Sequence, residues 1–259
     1  MRISYGKLRV PLQRVVDRDG RHDVLAAEIS VEVLGENFVA AYTEGDNREV
    51  VATDTMKNFI LRESLHYDGT DPEGLLVFLG RRFLETYPVM ESVRMSAKEL
   101  RFDRLGDRVY SRSQDDYGVA TVEPDGTVRG GRHDMLLLKT RGSAFTKFAR
   151  DEYTTLPERG DRPLLIRLDA DWTYKGDDYV ESKAVRDHFA ATFDDFVSES
   201  IQHLVYEMGT RLLADRPEIA AITFTAENHT RDPVGEEAGR KVYTDPFPAQ
   251  GLITLTLTR

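Results

Sequence analysis

Along the first part of the chain, apolar residues fall at every second position. Leu8, Val10 and Leu12 alternate with Arg9, Pro11 and Gln13, and Ile29, Val31 and Val33 alternate with Ser30 and Glu32. Successive side chains of an extended strand point to opposite faces, so this period predicts two half-buried antiparallel strands. Pro11 has no N–H to give to a ladder and predicts an edge or a bulge in the first strand. From Thr53 to about Tyr67 the spacing changes, with Met56, Phe59, Ile60 and Leu65 at helical intervals. A second helix is expected from Thr70-Asp71-Pro72-Glu73, read as a capping box with proline in the first turn, to about Tyr87, where Pro88 stops it. Strand-like segments follow to about residue 140, and Asp125-Gly126 turns a hairpin between Ala120-Thr121-Val122 and Thr127-Val128.

The same order then recurs. Residues 133–140 are strand-like, and Ile166, Leu168, Ala170 and Trp172 alternate with Arg167, Asp169 and Asp171. One long helix is expected over about residues 182–214, carrying Val185, Phe189, Phe193, Phe196, Leu204, Met208 and Leu212 on a broad face. Strands at about 218–226 and 251–258 finish the chain, and Arg231-Asp232-Pro233 between them reads as a turn. Each half is thus a strand pair, helical residues and a second strand pair, an α+β architecture with helices on one face of an antiparallel sheet. Residues 1–130 and 131–259 are the expected modules, with no low-complexity linker between them.

Composition narrows the chemistry. The net charge of -10 repels polyanions, and no basic patch is interleaved with aromatics, so a nucleic-acid partner is not expected. With no cysteine there is no thiolate nucleophile, disulfide, iron-sulfur or zinc-thiolate site. No apolar run approaches the roughly 20 residues needed to span a bilayer, and Met1-Arg2-Ile3-Ser4 leads into a strand rather than a signal peptide. The end Leu255-Thr256-Leu257-Thr258-Arg259 lacks a peroxisomal address, so a cytoplasmic protein is expected. The six histidines are scattered without ligand spacing, so no metal site is expected, and phosphate-binding, dinucleotide-binding and nucleophile-elbow motifs are absent. What remains is Lys7 and the helix start at Thr53-Asp54-Thr55. Its free N–H groups suit an anionic heteroatom, although Thr53 or Asp54 would equally serve as a plain cap.

Three motifs settle which way to read that start. Tyr5-Gly6-Lys7 precedes a strand, and Gly45-Asp46-Asn47-x-x-Val50-Val51-Ala52-Thr53-Asp54-Thr55-x-Lys57-Asn58 follows. Ser143-Ala144-Phe145 then leads through Arg150-Asp151-Glu152-Tyr153-Thr154-Thr155-Leu156 to Asp161-Arg162. In this order they resemble the signatures of the urate oxidase (uricase) family, and the resemblance covers nearly the whole chain. It implies two tandem T-fold (tunnelling-fold) modules and a homotetramer with active sites between subunits. It also implies oxidation of urate by O2 to 5-hydroxyisourate and H2O2, a step of purine catabolism that needs no cofactor. By the same resemblance, Arg162 and Gln202 grip the pyrimidine edge of the purine, Phe145 stacks on it and Ile201 lines the pocket. The N–H groups of Thr53 and Asp54, from a neighbouring subunit, bind the opposite edge. Lys7 and Thr53 form a proton-transfer dyad, and Asn228 joins Thr53 in holding oxygen or water above the ring.

The chain departs from the family at Asn228-His229-Thr230. The family reads Asn-Lys-His there, so Thr230 stands where the relay histidine is expected. His229 is one residue away, on the opposite face of a strand unless a bulge intervenes. Three outcomes fit: urate oxidation with an altered relay, the same chemistry on another purine-like or nitrogen-rich heterocycle, or a T-fold protein that only binds.

Overall fold

The structure is a computed structural model that describes residues 2–18, 21–106, 108–244 and 249–259; Met1, the first residue of the expected leaderless start, lies outside them. The chain divides into two compact units, residues 1–131 with 173–182, and residues 132–172 with 183–259. Among the described residues no helix is long and apolar enough to cross a membrane.

In the first unit, β1 (Ser4–Arg18) and β2 (Arg21–Leu34) form a long antiparallel pair, followed by the short α1 (Val39–Thr43), α2 (Thr53–Glu63) and α3 (Pro72–Thr86). Next come β3 (Ser92–Glu99), the small pair β4 (Phe102–Arg104) and β5 (Tyr110–Arg112), then β6 (Tyr117–Val122) and the start of β7 (Val128–Lys139). The sheet order β1-β2-β3-β6 is antiparallel throughout. The expected alternation holds in β2, where Ile29, Val31 and Val33 are buried against Met56 and Ile60 of α2 and Leu79 of α3. The β6–β7 turn forms where Asp125-Gly126 predicts it, with Gly126 at φ 85°, a value glycine adopts without steric cost.

Alternation fails at Leu8, which is 66% exposed. Lys7 pairs with Val31 and Val10 with Ile29, so β1 spends one more residue than β2 over this stretch. The extra residue is a bulge in which Arg9 takes φ 53°. A bulge of one residue switches the phase of the strand. Before it Tyr5 and Lys7 share the helix-bearing face with their partners Val33 and Val31; after it Val10 and Leu12 do. Gly6 between them is required by crowding, because a Cβ there would lie 1.9 Å from the Val31 carbonyl oxygen.

In the second unit β7 is followed by β8 (Leu164–Tyr174), α4 (Ser182–Asp195), α5 (Ile201–Asp215) and β9 (Ile219–Asn228). The pair β10 (Pro233–Glu237) and β11 (Arg240–Tyr243) precedes β12 (Gly251–Thr258), and the sheet runs β7-β8-β9-β12. Ile166, Leu168, Ala170 and Trp172 face inward as their alternation predicts. The single long helix does not form. Residues 196–200 leave the helix because Ser198 pairs with Ser143, and Ser200 starts α5 by accepting from the His203 N–H at 3.1 Å. The 228–251 connection is likewise more than a turn: Ala238-Gly239, both at positive φ, close the β10–β11 hairpin.

The helices α3 and α5 repeat one another residue for residue. Both have 15 residues, and each cap accepts the N–H three positions on, Asp71 from Gly74 at 2.7 Å and Ser200 from His203. Leu75, Leu76, Leu79 and Gly80 are buried in α3, and Leu204, Val205, Met208 and Gly209 are buried at the same steps of α5. Glu73 therefore corresponds to Gln202. The capping-box expectation is corrected: Asp71, not Thr70, is the cap, and Glu73 turns inward to accept from the Tyr174 hydroxyl at 3.0 Å.

Candidate active site

Each unit gathers a separate set of candidate residues. In the first unit Lys7 stands on the helix-bearing face of β1, and Thr53 and Asp54 are the first two residues of α2. Tyr5 fixes the approach between them. Its hydroxyl oxygen accepts the Val51 N–H at 2.9 Å, and its ring meets Phe38 edge-on at 4.8 Å, so the segment that feeds α2 is tied two residues from Lys7. Val50-Val51 leads into α2 without forming a strand. The helix begins after Ala52, whose side chain makes no cap, so Thr53 and Asp54 are not caps either. An uncapped start leaves the first-turn N–H groups for solvent or a ligand. Asp54 is exposed and bonds Lys57 and Asn58, the latter at 3.0 Å. Its carboxyl is held below the ordinary range chiefly by the Lys57 hydrogen bond and charge, with Lys7 adding to the pull.

The second set lies where three segments of the other unit converge. Phe145 and Arg159 exchange backbone hydrogen bonds at 2.8 and 3.0 Å, and the Arg162 N–H reaches the Ser143 carbonyl at 2.9 Å. Ser198 ties this loop to the approach of α5 by accepting the Ala144 N–H at 2.8 Å. Ile201 is buried at the start of α5, and Gln202, next along, is exposed. The end of β9 joins from the other side through the His229 N–H, which donates to Leu165 at 2.9 Å, three residues beyond Arg162. Sequence reasoning named Ser143 and Asp161 only as motif members and missed Ser198; it foresaw neither the Ser143–Ser198 pairing nor the Gly142 N–H that Asp161 Oδ1 accepts at 2.7 Å. These are long-range pairings without a local signature.

Three polar atoms stand out in this set. Arg162 Nε, Asn228 Oδ1 and His229 Nε2 are buried, and none has a hydrogen-bond partner. Burial also lowers the Arg162 pKa from its ordinary value, and Arg159 lowers it further. Buried donors and acceptors are nearly always satisfied, because an orphan costs about 1–3 kcal/mol. The Arg162 guanidinium lies 5.7 Å from the centroid of the Phe145 ring. Together they offer an aromatic face, a cation seeking an acceptor and an amide oxygen seeking a donor.

At the departure segment, β9 ends at Asn228, and Asn228 Nδ2 donates to Thr230 Oγ1 at 3.2 Å. Thr230 thus meets Asn228, whereas Gln250 Nε2 lies 3.3 Å from His229 Nδ1, and His229 Nε2, 3.4 Å from Glu227 Oε2, has no hydrogen-bond partner. Among the described residues no group of three or more His, Asp or Glu could hold a metal ion.

The uricase family profile matches residues 3–126 and again 128–251. A uricase from Haloferax volcanii is 42% identical, with 82% of this chain and 79% of that one covered. The bifunctional uric acid degradation protein of Bacillus subtilis is 34% identical over 98% of this chain, which spans 57% of that protein. The crystal structure of a uricase from Bacillus fastidious covers 99% of the chain at 33% identity with a TM-score of 0.90, with 93% of that chain matched. A match that repeats over both halves, on a fold shared with a solved uricase, places this α+β oxidoreductase in the uricase family.

Proposed function

We propose that the chain oxidises urate with O2 and without a cofactor, giving 5-hydroxyisourate and H2O2. Two electrons pass from the urate anion to O2. Water supplies the oxygen added at the purine ring, and the protons end on peroxide. The observation that carries this reading is the orphaned Arg162 Nε, whose guanidinium lies 5.7 Å from the Phe145 ring centroid, together with the orphaned Asn228 Oδ1 of the same unit. Urate is planar and anionic and alternates carbonyl with N–H around its edge, so one molecule satisfies a guanidinium, an amide oxygen and an aromatic face together.

In this reading Arg162 and Gln202 hold the pyrimidine edge, Phe145 stacks and Ile201 lines the pocket. Asn228 and Thr230 hold water or O2 above the ring. A second copy of the chain supplies the uncapped N–H groups of Thr53 and Asp54, with Lys7 easing proton removal at Thr53 or its bound water. The Tyr5 hydroxyl, which accepts the Val51 N–H, ties the approach of α2 to the strand that carries Lys7 and so supports pairing Lys7 with Thr53. This arrangement requires an oligomer, a homotetramer by family resemblance, and fits a step of purine catabolism in the cytoplasm. The Thr230–Asn228 hydrogen bond, in place of a relay histidine, supports a second reading in which the same oxidation acts on another nitrogen-rich heterocycle.

Loss of urate absorbance with equimolar O2 uptake and peroxide release, in chelator-treated protein with nothing added, tests the proposal. Oxidation of a related heterocycle with urate untouched would favour the second reading, and turnover of neither would leave a binding protein.

A further inference from the structure

The loop that carries Phe145 contains a second aromatic residue that its motif did not single out. Phe148 lies three residues on, and Lys147 between them takes φ 58° while its N–H bonds Glu158 Oε1 at 2.9 Å. That left-handed step folds the chain back. The Phe148 ring comes to lie on Phe145 with centroids 4.9 Å apart and planes 11° from parallel. Arg150 lies 5.4 Å from the Phe148 centroid, and its guanidinium donates to the Leu156 carbonyl at 3.2 Å, which holds the loop closed from the far side. Arg162, Phe145, Phe148 and Arg150 thus form one succession of cation and ring contacts.

An aromatic ring has two faces. Phe148 takes one face of Phe145, so a planar ligand has the other. Phe145 itself lies in no helix or strand, since residues 142–163 form only isolated bridges, turns, bends and irregular chain. Left without Phe148, the ring would be free to turn about two side-chain torsions, and stacking a ligand on it would first require ordering it. We infer that Phe148 is a positioning residue for the heterocycle site. It backs Phe145 and presets the plane against which the substrate stacks. The inference rests on the proposed reading of Phe145 as the stacking face.

Backing of this kind acts equally on bound substrate and on the transition state, so its loss falls on KM and spares kcat. An aromatic pair and the ordering of one side chain together correspond to a change of roughly three- to tenfold. Steady-state urate oxidation by Phe148→Ala should therefore show KM raised about three- to tenfold with kcat within about twofold of the parent. Phe148→Tyr should restore KM. Xanthine, a planar purine used as a binding probe in calorimetry, should bind Phe148→Ala more weakly by a similar factor. Adding Phe148→Ala to Phe145→Ala should cost nothing further, because the first residue acts through the second. Phe148→Leu, which keeps a half-buried apolar side chain without a ring, serves the same comparison if the alanine variant does not fold. An unchanged KM would overturn the inference. So would a lower KM, which would mean that Phe148 competes with substrate for the ring. If Phe145→Ala itself leaves xanthine affinity unchanged, the stacking role of Phe145 fails and takes the inference with it. A loss in Phe145→Ala beside a neutral Phe148→Ala would overturn this inference alone.

Discussion

Replacing Glu73 by glutamine should make the protein more stable at alkaline pH and leave it nearly unchanged at acid pH. The Glu73 side chain is 3% exposed, and burial pushes its pKa up from 4.5 to about 7, against the opposing pull of its own backbone N–H and the Tyr174 hydroxyl. Asp71 and Glu99 raise it further. Between those two values the folded protein holds a proton that the unfolded chain has released. The favourable contribution is thus complete below pH 4.5, falls as pH rises and is gone above about 7. A rise of that size corresponds to roughly 3 kcal/mol of penalty on the ionised form. An amide of the same shape can still accept from Tyr174, carries no charge to desolvate, and is what the chain itself places at the matching step of α5, Gln202. Urea unfolding at pH 5 and pH 8.5, at one fixed protomer concentration, should show Glu73→Gln within about 1 kcal/mol of the parent at the lower pH and about 2–3 kcal/mol more stable at the higher. An equal difference at both pH values would refute the reasoning, since it would show that Glu73 does not titrate between them.

Lys7→Met and Thr53→Ala should each lower kcat by about 100-fold or more while xanthine affinity stays within a few-fold, as for groups that move a proton rather than hold the ring. Unchanged rates in both would remove the dyad. Arg162→Ala should weaken xanthine binding by roughly 1.5–3 kcal/mol, the worth of a charged hydrogen bond, with melting unchanged or slightly raised because an unsatisfied buried atom is deleted. Thr230→His should raise urate turnover if a relay histidine is all that Asn228 lacks; no rise would favour a different heterocycle.

Much of the fold was legible because burial on one face imposes a period. The inward runs in β2 and β8, the start of α3 at Pro72 and the Asp125-Gly126 turn all follow from local pattern. What was not legible depends on distant partners. The apolar stripe runs unbroken past residue 196, and only the pairing of Ser198 with Ser143 stops the helix. Leu8 continues an alternation on paper but leaves it in space, because a bulge at Arg9 reverses the phase. Glu73 looks like an exposed capping residue until Tyr174, a hundred positions away in sequence, takes its carboxylate. The β10–β11 hairpin escaped because its residues are almost all exposed and carry no buried face to set a period. Ala238-Gly239 was its one local signal.

The candidate residues were named by resemblance to a family, and the structure adds what a motif cannot contain. It identifies, among the candidate residues, three buried atoms without hydrogen-bond partners, Arg162 Nε, Asn228 Oδ1 and His229 Nε2, and shows His229 Nδ1 beside Gln250 while Thr230 meets Asn228. Lys7 reaches the helix-bearing face of its strand only because the bulge follows it.

The most direct test is oxygen consumption by chelator-treated protein with urate alone. One O2 taken up and one H2O2 released per urate lost, with no added cofactor, is the expected result. A rate no greater than the protein-free control, at any pH between 6 and 9, would contradict urate oxidation by this chain.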